Sequence, residues 1–535
     1  MDANKRVVNA YPYLPKECLR IPQTSGDLKT CMNSQLWRLN NLYFIINERG
    51  ESVLFRLNAV QYKYYSARHY FNIILKSRQH GITTLCCLLI LDTCLFVDNT
   101  ATGIIAHKLT ATLDIFRNKI KYPYDHLPKA ILAQKEAIKD DACQLILNNS
   151  SSITVATSLR SGTYQMIHVS EHGKICAKTP QKAEELKTGT LETVHEGSSI
   201  TIESTAEGRT GDFYDWFTEA DVKAKDHIPL GKLDYKRHFF AWYEDPKNTT
   251  DPQYIEITDN IKEYFVKLSR GLDYSFSPGQ IAWYANKAKK LGILIYREHP
   301  TTPDEAFKSL ITGSYYGTEI AIAREQGRVL KLYYEPRIPV YTFWDIGHKH
   351  TAIWFVQYAQ TQKRHIDYYE DNDGLGMAAY AEILRNKGYR YGGHFGPPDM
   401  KTSNARSIQT GRDLVDVAKE AGIEFVIIAA HHIETRIKTT IDEISSCLFD
   451  NIKCDAGLKS LELYRAEWNE VTEDFGKKPF HDKYSHGADA FGYEMMQYKW
   501  GEIGNKFMGD LRVRDFDYLG ERKQKVQLDY DLLAI

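Results

Sequence analysis

Apolar and polar positions change their spacing along this chain in a way that divides it. From Leu57 to Glu207, short apolar runs alternate with longer mixed stretches: NIIL (72–75), ITVAT (153–157), YQMIHVSE (164–171) and SSITIES (198–204). Near-continuous apolar runs of this length predict buried strands, and their alternation with helical stretches predicts a mostly parallel sheet covered by helices on both faces. The pattern changes at Val340. There VYTFWDIG (340–347), TAIWFVQYA (351–359) and RHIDYYED (364–371) follow one another with only short polar turns between them, which predicts an antiparallel meander. A helix over about Gly376 to Asn386, a strand near His394 and further alternating helices and strands complete this half.

Three antiparallel strands followed by helix, strand, helix, strand is the order of an RNase H-like domain. Between the two halves, residues 208–310 are rich in aromatics and charges, as in FFAWYEDP and EHPTTPDEAF, and show little strand periodicity; they predict a smaller subdomain. Pro336 and Pro339 break any helix in the stretch that follows. The expected division is an N-terminal extension (1–50), a parallel-sheet core (51–235), a lid-like subdomain (236–312), a linker (313–338), a mixed-sheet domain (339–504) and a tail (505–535). The fold class is α/β throughout.

With 535 residues the chain is too long for one core. Its net charge of −1 means that any nucleic-acid surface must be a local patch. Nine cysteines without C-x-x-C spacing read as reduced thiols. The start has no apolar h-region of a secretory signal, and the most apolar run, Leu85 to Val97, is too short to span a bilayer and carries Asp92. A soluble intracellular protein without a membrane partner is expected.

The densest chemistry lies in IILKSRQHGITT (73–84). An apolar strand enters a polar turn, then Gly81, Thr83 and Thr84, then an apolar helix. That order places backbone N–H groups and a helix N-terminus where phosphate oxygens can sit. The common loop ends Gly-Lys-Ser/Thr, but Ile82 fills the lysine position here, so the cation must come from Lys76 or Arg78. The candidate loop is Lys76, Ser77, Arg78, Gln79, Gly81, Thr83 and Thr84, with Thr83 as the hydroxyl for a Mg²⁺ ion. Glu171 ends the YQMIHVSE strand, where a carboxylate can polarise an attacking water. The preceding position, usually an aspartate that holds Mg²⁺, is Ser170. Gln61 could read an adenine edge through its amide. Arg160, on a Gly/Ser turn, could offer a fork to a γ-phosphate in cis or to a neighbouring subunit. Ser204-Thr205-Ala206 ends the next strand and could sense that phosphate.

In the second half Asp345 ends the first strand, Asp399 follows a later one in HFGPPDM, and Asp489 lies on the first turns of a helix in SHGADAFGY. Three carboxylates gathered at one end of a sheet repel one another unless a cation neutralises them. Two divalent ions there could clamp the attacking and leaving oxygens of a phosphodiester. Glu370 and Asp371 are weaker candidates, and His486 could orient a carboxylate.

Taken together, FRLNAVQ, IILKSRQHGITT, SSITVATSLRSGTYQMIHVSEHGK, TIESTAEG, FFAWYEDP, EHPTTPDEAF, YTFWDIG, HIDYYED, GPPD and HDKYSHGADAFGY resemble, in order, the motifs of a tailed-bacteriophage terminase large subunit. The resemblance implies an N-terminal P-loop ATPase of the ASCE type, a lid and an RNase H-like nuclease, using ATP and Mg²⁺ (or Mn²⁺ at the nuclease site). It implies that Gln61 reads adenine, Glu171 is the general base, Thr205 lies in a coupling motif and Arg160 acts in trans. Asp345, Asp399 and Asp489 become nuclease metal ligands. The implied partners are double-stranded DNA, a small terminase subunit, a portal protein and further copies of the chain in a ring, all in the host cytoplasm. The basic tail from Lys506 would then touch the portal. The competing reading is an RNase H-like resolvase or transposase with an inactive, structural P-loop domain.

Overall fold

In the computed structural model the described residues are 11–159, 162–307, 313–347, 349–359, 362–401, 413–469 and 474–499. Arg160 and the tail from 505 lie outside them. The chain forms two compact units, residues 1–318 with 465–480, and residues 319–464 with 481–535.

The first unit is built on helix α1 (Ala59–Ala67), strand β1 (Phe71–Lys76), helix α2 (Ile82–Phe96), strands β2 (Ala101–Ile105), β3 (Ala137–Asp140), β4 (Gln144–Leu147), β5 (Ser152–Ala156) and β6 (Met166–Ser170), helix α3 (His172–Lys178), and strands β7 (Ser199–Ser204) and β8 (Tyr235–Phe240). The strands form one sheet in the order β8-β1-β7-β6-β2-β5-β4-β3. Pairing is parallel from β8 to β5 and antiparallel only at β5-β4 and β4-β3. Parallel strands require both faces covered, and α2 shows how completely: it is apolar around its whole circumference and 11 of its residues are buried, from Ile82 to Leu95. Asp92 sits inside that helix, fully buried, and is neutralised by Arg38, whose Nε and Nη2 donate to its two oxygens at 2.9 and 2.7 Å.

The expected parallel core is present. Four strands of its sheet, β2, β3, β4 and β8, were not anticipated, and β8 forms one edge of the sheet. Helices Asp259–Leu272 and Pro278–Leu291 follow, packed around Trp242, Phe265, Tyr284 and Ile295 as a small aromatic core of their own. A hairpin, Ala466–Asn469 paired with Asp474–Pro479, groups with this first unit, and the Lys178 ammonium lies 3.7 Å over the Trp468 ring.

The second unit contains strands β9 (Val329–Leu330), β10 (Val340–Ile346), β11 (Thr351–Ala359) and β12 (Gln362–Asp371), helix α4 (Met377–Lys387), strands β13 (Tyr391–Gly396) and β14 (Phe425–Ile427), helix α5 (Ile433–Glu443), strand β15 (Cys447–Asp450) and helix α6 (Lys483–Lys499). Their sheet order is β9-β15-β12-β11-β10-β13-β14. The meander β10-β11-β12 is antiparallel, whereas β13 joins β10 and β14 joins β13 in parallel. The central order third-second-first-fourth-fifth is the RNase H-like arrangement expected from the strand succession. Among the described residues no helix is long and apolar enough to cross a membrane.

Candidate nucleotide and nuclease sites

Strand β1 ends at Lys76, and the chain turns through left-handed backbone at Gln79 (φ 69°) and Gly81 (φ 70°) before α2 begins. The positive φ favours glycine at 81, and a Cβ there would lie 2.7 Å from Gln61 Nε2, displacing the end of that side chain. No side chain caps α2, which leaves its first-turn N–H groups for an anion. Gln61 fixes the loop from α1: its carbonyl accepts from Asn58 N–H at 2.9 Å and its NH₂ donates to Gly81 O at 2.8 Å. Most of the amide expected to read adenine therefore holds the loop in place.

Other loop residues are secured similarly. Ser77 N–H donates to Phe240 O (2.9 Å) and its hydroxyl to Glu298 O (3.1 Å). Arg78 is ion-paired with Glu298 and half exposed. Thr84 accepts from Lys119 Nζ at 3.1 Å, so a lysine that the loop pattern does not reveal also reaches this turn.

Of the two loop cations, the structure buries Lys76. Its ammonium lies 3.0 Å from Glu203 Oε2 and 3.4 Å from Glu171 Oε1. Burial works against its charge, but Glu203 and then Glu171 outweigh it and push its pKa above the usual lysine value. The same ammonium, against burial, holds both carboxyls below their usual range. Glu171 caps α3 in left-handed backbone (φ 58°), an uncommon conformation for a non-glycine residue. Lys174 Nζ is 2.9 Å from its Oε2, and the Thr205 hydroxyl donates to that oxygen at 3.4 Å. Lys76, Glu171 and Thr205, predicted from three separate segments, are thus brought together.

Glu203 was missed. It is fully buried, and the hydroxyls of Thr83 and Ser170 donate to its Oε1 at 2.7 and 2.9 Å. Its position in SSITIES looks like an ordinary polar alternation, and only the strand register discloses its neighbours. An uncapped helix start, a buried lysine, a hydroxyl and a carboxylate suit a nucleotide polyphosphate with a divalent cation.

In the second unit Asp345 lies on β10 and is hydrogen-bonded by His486 of α6, with Nδ1 donating to Oδ2 at 2.7 Å. Burial lowers the His486 pKa, but its bond to Asp345 outweighs this and raises it. Asp489, one turn along α6, receives Arg436 Nη2 of α5 at 2.5 Å and the Tyr464 hydroxyl at 3.1 Å, both on Oδ1. Burial pushes Asp489 up to about 6; Arg436 opposes the shift and Asp345 reinforces it. Burial and then Asp345 also raise Asp399. Asp345 thus acts on both Asp489 and Asp399, a grouping of carboxylates suited to a hard, oxygen-preferring cation. Among the described residues, no three His, Cys, Asp or Glu side chains close around a common metal position. Glu370 stands in the same row as Asp345 across the sheet, through Ala352, and accepts from the Tyr368 hydroxyl at 2.7 Å.

No family model matches the chain, and no curated protein matches it. Solved structures do. The large terminase from a thermophilic bacteriophage shares 14% identity over 82% of this chain and 99% of that one, with a TM-score of 0.30. For the HK97 bacteriophage large terminase the values are 12%, 85%, 98% and 0.38. For the ATPase domain of the Thermus phage P74-26 large terminase they are 12%, 54%, 100% and 0.30. At these identities and TM-scores no residue's role follows from the likeness. These three solved structures, to which the chain is similar, are of bacteriophage large terminases, the family that its sequence motifs resemble.

Proposed function

We propose that this chain is a large terminase subunit, an ATP-driven DNA translocase joined to a metal-dependent endonuclease. The observation that carries the reading is Lys76: a lysine at the strand end, buried against two carboxylates beside an uncapped helix start, supplies the cation that Ile82 removes from the usual loop position. In this reading Lys76 and the first-turn amides of α2 bind the ATP phosphates, with Arg78 and Gln79 at the mouth of the loop. Thr83 faces Mg²⁺, which would neutralise phosphate charge. Glu171 accepts the proton of the attacking water, and Thr205, bonded to Glu171, links that carboxylate to the strand behind it. Gln61 retains one amide N–H for the adenine edge, and Arg160 acts on a neighbouring copy.

Asp345, Asp399 and Asp489 of the second unit bind one or two divalent ions for phosphodiester cleavage, with His486 orienting Asp345. Double-stranded DNA is the substrate. Its partners are the portal protein, the small subunit and further copies in a ring, in the host cytoplasm, and the tail from Lys506 contacts the portal. The near-neutral chain implies that a ring, not a monomer, supplies enough phosphate contacts to hold DNA.

The test pairs two variants. Lys76→Ala should lose ATP hydrolysis and retain cutting of supercoiled plasmid with Mg²⁺ or Mn²⁺. Asp345→Asn should do the reverse. ATP hydrolysis that survives Lys76→Ala would refute the motor site, and plasmid cutting that survives Asp345→Asn would refute the nuclease site.

A further inference from the structure

The strand that should carry a metal-binding acid beside Thr83 ends instead in Ser170. A serine contributes a hydroxyl but no charge, so a cation at this point would lack its anionic ligand. The adjacent strand supplies one. Strands β6 and β7 run parallel, and their register sets Ser170 directly beside Glu203. Residues paired across a sheet project from the same face, so the Glu203 carboxylate occupies the level at which an acid on β6 would stand. The contacts follow from that register: Ser170 Oγ and Thr83 Oγ1 both donate to Glu203 Oε1, at 2.9 and 2.7 Å, and Lys76 Nζ lies 3.0 Å from Oε2.

A carboxylate this deeply buried is retained only where a cation meets it. Lys76 meets it at 3.0 Å and is shared with Glu171, which also has Lys174 at 2.9 Å; the His168 imidazole lies 3.5 Å from the other Glu203 oxygen. A bound phosphate would draw on the same ammonium. The hydroxyl of Thr83, on the first turn of the helix that would receive the phosphates, already points at Glu203 Oε1.

We infer that Glu203 is the anionic ligand of the nucleotide-bound divalent cation, moved sideways by one strand from the position that Ser170 occupies. The inference rests on the ATPase reading above. It assigns to β7 a role that the segment ending in Thr205 does not disclose, and it predicts that the carboxylate can be moved back.

The test measures metal binding directly. Mn²⁺ is titrated into the full chain with ATPγS present and free Mn²⁺ is followed by electron paramagnetic resonance; ATPγS binding is measured separately in EDTA. Glu203→Gln should weaken Mn²⁺ binding about tenfold or more, with much less effect on ATPγS in EDTA. The double variant Ser170→Asp with Glu203→Gln should restore Mn²⁺ binding. Glu203→Asp keeps the buried charge but retracts it by one methylene, so it guards against misfolding; it should weaken Mn²⁺ several-fold with ATPγS binding in EDTA unchanged. Equal loss of ATPγS with and without metal, with no rescue by Ser170→Asp, would make Glu203 only a counter-ion of Lys76 and overturn the inference. Unchanged Mn²⁺ binding in Glu203→Asp would overturn it too. A wild type that binds ATPγS under neither condition would instead refute the ATPase reading itself.

Discussion

Arg436 holds Asp489 through one guanidinium nitrogen, 2.5 Å from Oδ1, while its guanidinium carbon lies 4.7 Å from the centre of the Tyr493 ring. Both partners of this pair are mostly buried, with side-chain exposures of 7% and 19%. Removing one member of such a pair strands the other charge away from water. Arg436→Gln is expected to destabilise the metal-free protein by about 3–5 kcal/mol, and added Mg²⁺ should recover part of that loss. Thermal melts with and without Mg²⁺ would show it; a variant that melts like wild type would mean that the pair contributes nothing.

The raised pKa of Asp489 sets a pH dependence. Its carboxyl is pushed up to about 6 by burial, with Asp345 adding to the shift. A group raised in this way keeps its proton below that value, and a metal must then displace it. Stabilisation by Mg²⁺, read as the rise in melting temperature, should be full near pH 8 and shrink as pH falls through about 6. Asp399, raised in the same direction, should add to the same trend. A Mg²⁺ effect that is flat from pH 8 to pH 5 would separate these carboxyls from metal binding.

In the first unit, the buried Asp92 and Arg38 form a two-pronged pair that also receives the Tyr43 hydroxyl at 2.7 Å. Asp92→Ala should destabilise the first unit by about 3–5 kcal/mol, read by urea unfolding. A double variant, Arg38→Met with Asp92→Leu, should recover much of that loss, because an apolar pair leaves no charge stranded.

Gln61 joins the capping box of α1 to the phosphate loop. Gln61→Ala is expected to remove about 1 kcal/mol of stability, in the range of a lost helix cap. ATP binding should weaken as well, because Gly81 loses its tether. Calorimetric titration with ATP and with GTP would separate the roles. A loss confined to ATP marks adenine reading, and an equal loss for both marks support of the loop.

Much of this architecture was legible because buried parallel strands announce themselves as unbroken apolar runs. NIIL, ITVAT, QMIHVS and SITIES all became strands of one sheet, and the three-strand meander after Val340 was found where its pattern placed it. Strand β8 was hidden for a physical reason. It forms the edge of its sheet, so Tyr235, Lys236 and Arg237 remain partly exposed and its polar start reads as loop. Strand β2, ATGII, is short and opens on small residues. The candidate residues at strand ends, Lys76, Glu171 and Asp345, could be singled out from sequence because position along an element marks them as candidates. Glu203 and Arg436 were not, since their importance lies in what stands beside them: one is defined by the register of β6 with β7, the other by the packing of α5 against α6.

The left-handed backbone at Glu171 puts conformational ease and chemistry in opposition at a single position. Asparagine or glycine would settle into that geometry with less strain, and either would delete the carboxylate. If Glu171 is the general base proposed above, a directed search for heat-resistant variants of this chain would be drawn to residue 171 and would return proteins that persist at high temperature without turning over nucleotide. Any library built for robustness needs that codon held fixed.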